Sequence, residues 1–160
     1  MTAAAAAVIA RLTRLGQTVA TAESLTGGLI GTLLTDVPGA SVAYRGGLIV
    51  YATELKAELA GVPAEILDRD GAVAASTAGE LARGAARRCG ATWGISTTGV
   101  AGPDRQEGQP VGTVFVGLAR ADEVVEVRRL SLDGRRSEIR DQSAQQALTL
   151  LLDHLLDPAH

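Results

Sequence analysis

The sequence is poor in the residue types that usually supply bulky cores and covalent cross-links. Aromatic residues make up only 2% of the 160 residues. The core must therefore consist of Ala, Val, Leu and Ile, which favours closely packed layers of helix on sheet. A single cysteine, Cys89, excludes an intrachain disulfide and any metal cluster held by several cysteines.

Histidine and lysine are also scarce, which limits the bases available for catalysis. His154 and His160 lie close to the C-terminus, so a Ser/His/Asp relay would need a base from the C-terminal tail. Lys56 is the only lysine among fifteen basic residues. Because arginine stays protonated at neutral pH whereas a desolvated lysine can lose its proton, Lys56 is a candidate base or nucleophile. The alternative is a compositional bias toward arginine, with Lys56 on a solvated helix face.

Neither strong basic charge nor a long apolar run is present. The net charge of -3 argues against a nucleic-acid partner. No apolar run approaches the roughly 20 residues of a membrane-spanning helix, and the Ala-rich start lacks the basic residues and cleavage site of a signal peptide. We therefore predict a cytoplasmic protein with no membrane partner, and the length indicates one domain over residues 1–160.

Helical and strand patterns alternate along the chain. Apolar spacing with glycine or proline boundaries predicts helices over 2–15, 27–37, 53–59, 73–88 and 135–156, and a further helical turn after Pro63. Strands are predicted over 17–23, 41–51 and 91–100, followed by a hairpin around 121–122. This order is typical of an α/β layered fold with an antiparallel pair late in the chain.

The segment TAESLTGG places Ser24 at a turn from a strand to a helix. Backbone N–H groups at a helix start lack partners and attract anions. A serine hydroxyl at that turn could attack a carbonyl whose oxyanion those groups stabilise. Gly27 and Gly28 would let a ligand approach the backbone closely. The alternative is that Ser24 or Thr26 only caps the helix.

A second candidate segment is VYATELKAELAGV, in which Tyr51 closes a strand and Lys56 lies about one helical turn further on. Both side chains could then face a pocket at the end of the sheet. A buried Lys56 would have its pKa lowered by desolvation and could serve as the base for a serine. The alternative is an ordinary surface ion pair with Glu54 or Glu58, which would raise that pKa.

A third candidate segment, STTGVAGPDRQEGQPVG, combines a strand end with a glycine-rich loop. Thr98 and Gly99 offer a hydroxyl and backbone donors without bulk, although glycine and proline also form plain turns. The loop lacks the GxxxxGK pattern of a phosphate-binding P-loop. Arg136 and Arg140 stand four residues apart on one face of the last helix, where they could hold a phosphate or simply be solvated.

Taken in order, these segments resemble the CinA C-terminal domain family, which includes nicotinamide-mononucleotide amidohydrolases. The matching pieces are TAESLTGG, DVPGAS, GLIVYATELKAELAGV, GAV, TTGVAGPD, QPVGTVFVGLA and GRRSEIR. Each is weak alone, but the ordered set from Thr21 to Ala147 is specific.

The resemblance implies a three-layer α/β/α sandwich with a mixed, largely parallel sheet. It also implies hydrolysis of nicotinamide mononucleotide to nicotinic acid mononucleotide and ammonia, without a metal or other cofactor. The family's nucleophilic serine falls on Ser24 and its partner lysine on Lys56. Our hypothesis adds an oxyanion site near residues 26–28 and a set of substrate contacts, namely Thr26, Gly27, Gly28, Tyr51, Thr98, Gly99, Gly102, and Arg136 or Arg140. We expect a homodimer.

The sequence also departs from the family pattern. Thr53 replaces a common asparagine two residues after Tyr51, Arg45 is shifted relative to the usual arginine of the second strand, and Asp104-Arg105 replaces a common glycine pair. These changes leave two alternatives open. One is a non-catalytic nucleotide-binding or regulatory module, and the other is a Ser/Lys amidase for a different carboxamide.

Overall fold

A single five-stranded sheet carries helices on both faces in the computed structural model, which describes residues 1–158. The strands are β1 (Val19–Glu23), β2 (Tyr44–Ile49), β3 (Trp93–Gly99), β4 (Thr113–Ala119) and β5 (Val124–Ser131). The helices are α1 (Ala3–Leu15), α2 (Leu29–Thr35), α3 (Thr53–Glu58), α4 (Ala64–Asp70), α5 (Ala75–Cys89) and α6 (Arg136–Leu156), with a 3-10 turn at Ala40–Val42.

The strand order is β2-β1-β3-β4-β5. Strand β1 pairs in parallel with β2 on one side and β3 on the other, whereas β4 and β5 are antiparallel to their neighbours. The predicted mixed sheet with a late antiparallel pair is confirmed. Because β1, β2 and β3 run in the same direction, their carboxyl ends lie at one edge of the sheet. Strands β2 and β3 lie on opposite sides of β1, and α/β proteins commonly bind ligands at the crevice that such an arrangement forms.

Two helical layers enclose the sheet. Helices α1, α2 and α6 pack together on one face, and α5 lies across β1, β3 and β4 on the other, with α4 beside it. Leu55 of α3 and Leu67 of α4 pack against a separate core cluster on that second face, which contains Leu81 of α5. The three-layer α/β/α architecture expected from the resemblance is therefore confirmed.

Small residues let α5 lie very close to the sheet. A side chain at Gly94 of β3 would collide with the carbonyl oxygen of Ala82, and one at Gly117 of β4 would collide with that of Ala78. With only 2% aromatic residues, such close approach is how the layers fill their interior. The tight helix-on-sheet packing follows directly from the composition.

Two predicted boundaries shift for reasons of backbone conformation. Gly27 and Gly28 have φ angles of 58° and 105°, which are outside the helical region, so α2 begins at Leu29 rather than at residue 27. The strand predicted over 41–51 begins only at Tyr44, because a 3-10 turn fills Ala40–Val42. The remaining elements occur where the sequence pattern places them, within a few residues.

Candidate active site

Ser24 directly follows β1 and is held in a sharp turn. Its backbone N–H donates to the carbonyl oxygen of Thr97 at 3.0 Å, which extends the pairing of β1 with β3 by one residue. Its own carbonyl accepts from the N–H of Gly27 at 3.1 Å. The residue is 7% exposed. The hydroxyl is therefore presented from a fixed backbone at the carboxyl edge of the sheet.

Lys56 lies beside Ser24, as the third residue after the start of α3. It is 1% exposed, and its Nζ donates to the Ser24 Oγ at 3.0 Å. Two further hydrogen bonds run to the backbone carbonyl oxygens of Val50, at 2.8 Å, and Tyr51, at 3.3 Å. The end of β2 thus orients the amine toward the serine.

Burial lowers the pKa of Lys56 from 10.5 to about 8, because the charged form loses its hydration. The carboxylates of Glu107 and Glu54 act in the opposite direction. Neither glutamate forms an ion pair with Lys56 among the described residues. A substantial fraction of the amine is neutral near pH 8, and a neutral amine can accept a proton.

The start of α2 differs from the expectation of free N–H groups and a serine or threonine cap. Gly28 occupies the cap position and supplies no side-chain bond. The carboxylate of Glu23 takes the role instead: Oε1 accepts from the N–H of Ile30 at 2.9 Å and Oε2 from that of Gly31 at 3.1 Å. Glu23 is 2% exposed. These two helix N–H groups are consequently occupied by a buried side chain of the protein itself.

Thr26, Gly27 and Gly28 serve this turn rather than the cavity described below. The Thr26 hydroxyl donates to Glu23 Oε1 at 2.8 Å and lies 2.8 Å from the Thr97 hydroxyl. The two glycines supply the left-handed backbone that a side chain would strain. Within residues 1–158, the N–H of Leu25 makes no hydrogen bond to the protein, and Leu25 does line the cavity.

The turn after β1, the end of β2 and the loop after β3 enclose a cavity of about 400 Å³, which is in the size range of small-molecule sites. The predicted site residues in its wall are Ser24, Tyr51, Lys56, Thr98, Gly99, Gly102 and Arg136. The wall also contains residues that the sequence analysis named but did not assign to the site, namely Ala72 and Val73 before α5 and the loop residues 103–106. Only the fold places Ala72 and Val73 beside the cavity, because alanine and valine side chains carry no functional group.

The two arginines of α6 have different positions. Arg136 lines the cavity, and its guanidinium donates to the carbonyl oxygen of Gly102 at 2.6 Å and to the Tyr51 hydroxyl at 3.1 Å. Arg140 lies outside the cavity wall and donates to the carbonyl oxygens of Leu25, at 2.8 Å, and Thr26, at 3.3 Å. Although the two arginines share a helix face, Arg136 lies in the cavity wall and Arg140 stabilises the turn that contains Ser24.

The departures from the family pattern also separate. Thr53 is exposed and lies outside the cavity wall. Asp104 and Arg105 lie within the wall. Arg45 is exposed, lies outside the wall and donates to the carbonyl oxygen of Cys89 at 3.0 Å. Of the three departures, only Asp104-Arg105 can therefore touch a ligand in the cavity directly.

Other candidate chemistries lie away from this cavity. His154 bonds through Nδ1 to the Leu150 carbonyl oxygen at 3.1 Å, and its Nε2 lies 3.3 Å from Glu126. His160 lies outside the described residues. Across residues 1–158, no group of three or more His, Cys, Asp or Glu side chains could hold a metal ion, and no helix has the length and apolarity needed to cross a membrane.

The fold and the site place the chain among three-layer α/β/α proteins with a serine and a buried lysine in contact at the carboxyl edge of the sheet. The sequence model of the CinA C-terminal domain matches residues 1–155. The chain is 49% identical over 144 residues to a CinA-like protein of Frankia casuarinae, covering 90% of this chain and 33% of that protein. It is 43% identical over 153 residues to a CinA-like protein of Myxococcus xanthus, covering 95% and 36%. The chain therefore belongs to the CinA C-terminal domain family, and it spans about a third of the length of these relatives.

Solved structures agree with this assignment. A competence/damage inducible protein from Agrobacterium tumefaciens superposes with a TM-score of 0.89 at 35% identity, covering 96% of this chain and 94% of that one. A competence-damaged protein (CinA) superfamily protein from Enterobacter cloacae gives a TM-score of 0.91 at 28% identity, covering 95% and 90%. The match extends over nearly the whole chain in both cases.

Proposed function

We propose that this chain is an amidohydrolase that converts nicotinamide mononucleotide to nicotinic acid mononucleotide and ammonia through Ser24 and Lys56. The observation that carries the proposal is the 3.0 Å contact between Lys56 Nζ and Ser24 Oγ, made by two side chains that are almost fully buried beside a cavity. A serine needs a nearby base to act as a nucleophile, and a desolvated lysine can supply one.

The other partners of the amine are compatible with its acting as a base. Two backbone carbonyl oxygens, those of Val50 and Tyr51, receive N–H bonds from Nζ. A neutral amine has two N–H bonds and one lone pair. When the neutral amine keeps its two N–H groups on these carbonyls, its lone pair is left for the 3.0 Å contact with Ser24, in which the hydroxyl then donates to Nζ. That is the geometry needed to remove the hydroxyl proton.

The reaction would proceed through an acyl-enzyme. Ser24 Oγ attacks the carboxamide carbon while Lys56 takes the hydroxyl proton, and the Leu25 N–H would stabilise the oxyanion. Collapse of this intermediate breaks the C–N bond, and Lys56 returns the proton to the leaving ammonia. Water then adds to the acyl-enzyme and releases the carboxylic acid and Ser24.

Recognition of the nucleotide is assigned to the cavity wall. Arg136 uses N–H groups toward Gly102 and Tyr51, and a guanidinium has five, so further N–H groups remain for a phosphate. Thr98, Gly99 and Gly102 contribute the backbone beside it. Arg140 is left out of the contact set because it braces the serine turn.

The test is ammonia release from nicotinamide mononucleotide by the wild type, Ser24→Ala and Lys56→Arg. Both variants should lose turnover by at least about a thousandfold, whereas Ser41→Ala, at an exposed serine, should keep wild-type rates. Substantial turnover by Ser24→Ala would contradict the nucleophile assignment. A silent wild type that still binds the nucleotide would favour the binding-module alternative, which the altered wall residues Asp104 and Arg105 motivate. Turnover of a carboxamide without a phosphate would instead favour another substrate.

A further inference from the structure

The loop after β3 contains an unusual backbone position. Glu107 has a φ angle of 52° and is the only non-glycine residue among residues 1–158 with a left-handed φ. Non-glycine residues rarely adopt that region, and those that do are held there by their surroundings. The contacts of Glu107 therefore need an explanation.

The carboxylate of Glu107 binds two consecutive backbone amides in front of α5. Oε1 accepts from the N–H of Ala72 at 2.9 Å, and Oε2 accepts from that of Val73 at 2.8 Å. Gly71 makes room for this contact, because a Cβ atom there would lie 2.7 Å from Glu107 Oε2. A side chain on one loop is thus fastened by both oxygens to another segment of the chain.

Both segments joined by Glu107 form walls of the cavity. Ala72 and Val73 line it from one side, and the loop residues just before Glu107 line it from the other. The peptide at Ala72 is held a second time, since its carbonyl oxygen accepts from the Thr98 hydroxyl at 2.7 Å. The Thr77 hydroxyl also donates to the carbonyl oxygen of Gly71 at 2.6 Å. Of the side chains that hold this segment, Glu107 is the one that carries a charge.

We propose that Glu107 is a positioning residue, which fastens the loop of residues 101–110 to the segment before α5 and places a negative charge that acts on Lys56. The first part fixes the shape of the cavity. The second favours the protonated form of the amine that we assign as base. Only its kinetic consequence rests on the proposed amidohydrolase function.

The electrostatic part involves a small set of groups. Glu107 on the loop and Glu54 on the same helix as Lys56 both raise the pKa of the amine, against the larger lowering by burial. The other ionisable side chains in the cavity wall are Tyr51, Asp104, Arg105 and Arg136. Glu54 makes no side-chain hydrogen bond within residues 1–158, so it matches the charge of Glu107 without its fastening role.

The single lysine makes a direct test possible. Protein labelled with ¹³C at lysine Cε gives one side-chain signal, and its pH titration reports Lys56 without any need for catalysis. Glu107→Gln and the control Glu54→Gln should each lower the midpoint by about 0.5 pH unit. Only Glu107→Gln should also speed amide hydrogen exchange at Ala72 and Val73, by about tenfold or more. Glu107→Asp keeps the charge and should leave the midpoint nearer to that of the wild type.

The outcomes separate the proposal from the proposed function. An unchanged Lys56 midpoint in Glu107→Gln would overturn the electrostatic part, and unchanged amide exchange would overturn the fastening part, whether or not the protein releases ammonia. If the wild type does turn over nicotinamide mononucleotide, Glu107→Gln should raise KM about tenfold and shift the acid limb of kcat/KM to lower pH. Glu54→Gln should shift the acid limb of kcat/KM in the same direction but leave KM unchanged.

Discussion

Charged side chains are buried at the carboxyl edge of the parallel part of the sheet and partly exposed on its antiparallel part. At the carboxyl edge of the parallel part, Glu23 and Lys56 are 2% and 1% exposed and have their polar atoms bonded to backbone and hydroxyl groups. On the antiparallel strand β5, Glu126 and Arg128 form a 3.0 Å ion pair with side chains 35% and 33% exposed. Burial strengthens electrostatic effects and makes unpaired groups costly, whereas solvent weakens both.

The difference in burial between the two parts of the sheet matters for catalysis as well as for stability. A buried amine has a lowered pKa, and a buried carboxylate fixes the backbone next to the proposed nucleophile. The half-buried pair on β5 can do neither, because water screens its charges and its partners are side chains rather than the backbone near Ser24. We therefore expect substitutions at the carboxyl edge of the parallel strands to have the largest effects on stability and turnover, and substitutions on β5 the smallest.

The largest effect on stability is expected for Glu23→Ala. Removal of the carboxylate leaves the N–H groups of Ile30 and Gly31 without acceptors, and we expect the free energy of unfolding to fall by about 3 kcal/mol. Urea denaturation measures this value. Glu23→Gln keeps one acceptor oxygen and should lose less. A midpoint equal to that of the wild type would show that the buried carboxylate is not what holds the turn.

The pH dependence of turnover follows from Lys56. Because the base must be neutral and its pKa is about 8, kcat/KM for nicotinamide mononucleotide should rise about fiftyfold from pH 6 to 8 and level off above. A profile that is flat between pH 6 and 8 would contradict the role of Lys56 as base.

The same group predicts a slope in stability. The folded pKa of Lys56 is lowered from 10.5 to about 8, so between these values the unfolded chain binds the extra proton. Stability should therefore rise with pH in that window as far as Lys56 contributes. Lys56→Met removes the titrating group, and its unfolding free energy should lack this rise when both proteins are followed by urea denaturation.

The two arginines of α6 should differ in what their removal changes: substrate binding for Arg136 and stability for Arg140. Arg136→Ala should raise KM for nicotinamide mononucleotide about thirtyfold through loss of a charged hydrogen-bond donor in the cavity, and change stability little. Arg140→Ala should lower stability by about 1–2 kcal/mol, because Leu25 and Thr26 lose the donor to their carbonyl oxygens. Equal KM values for Arg136→Ala and the wild type would remove Arg136 from the phosphate site.

Sequence patterns could predict the elements because apolar spacing and glycine or proline boundaries are local. They also indicated Ser24 and Lys56, since a serine at a strand-to-helix turn and a lone lysine are visible without contacts. They could not separate Arg136 from Arg140, because a shared helix face does not say what lies opposite each residue. Glu23 and Glu107 were missed for a similar reason: their roles depend on backbone amides of other segments, which have no sequence signature.

The smallest effect is expected for Arg128→Ala on β5. Its ion pairs with Glu126, at 3.0 Å, and Asp153, at 3.4 Å, are partly exposed, so their loss should change the free energy of unfolding by less than about 1 kcal/mol. Added salt should reduce even that difference, because ions screen exposed charges, and kcat/KM should stay at the wild-type value. A loss as large as that of Glu23→Ala would mean that exposure does not distinguish the two parts of the sheet. A small loss of stability that decreases with added salt would attribute the difference between Arg128→Ala and Glu23→Ala to burial.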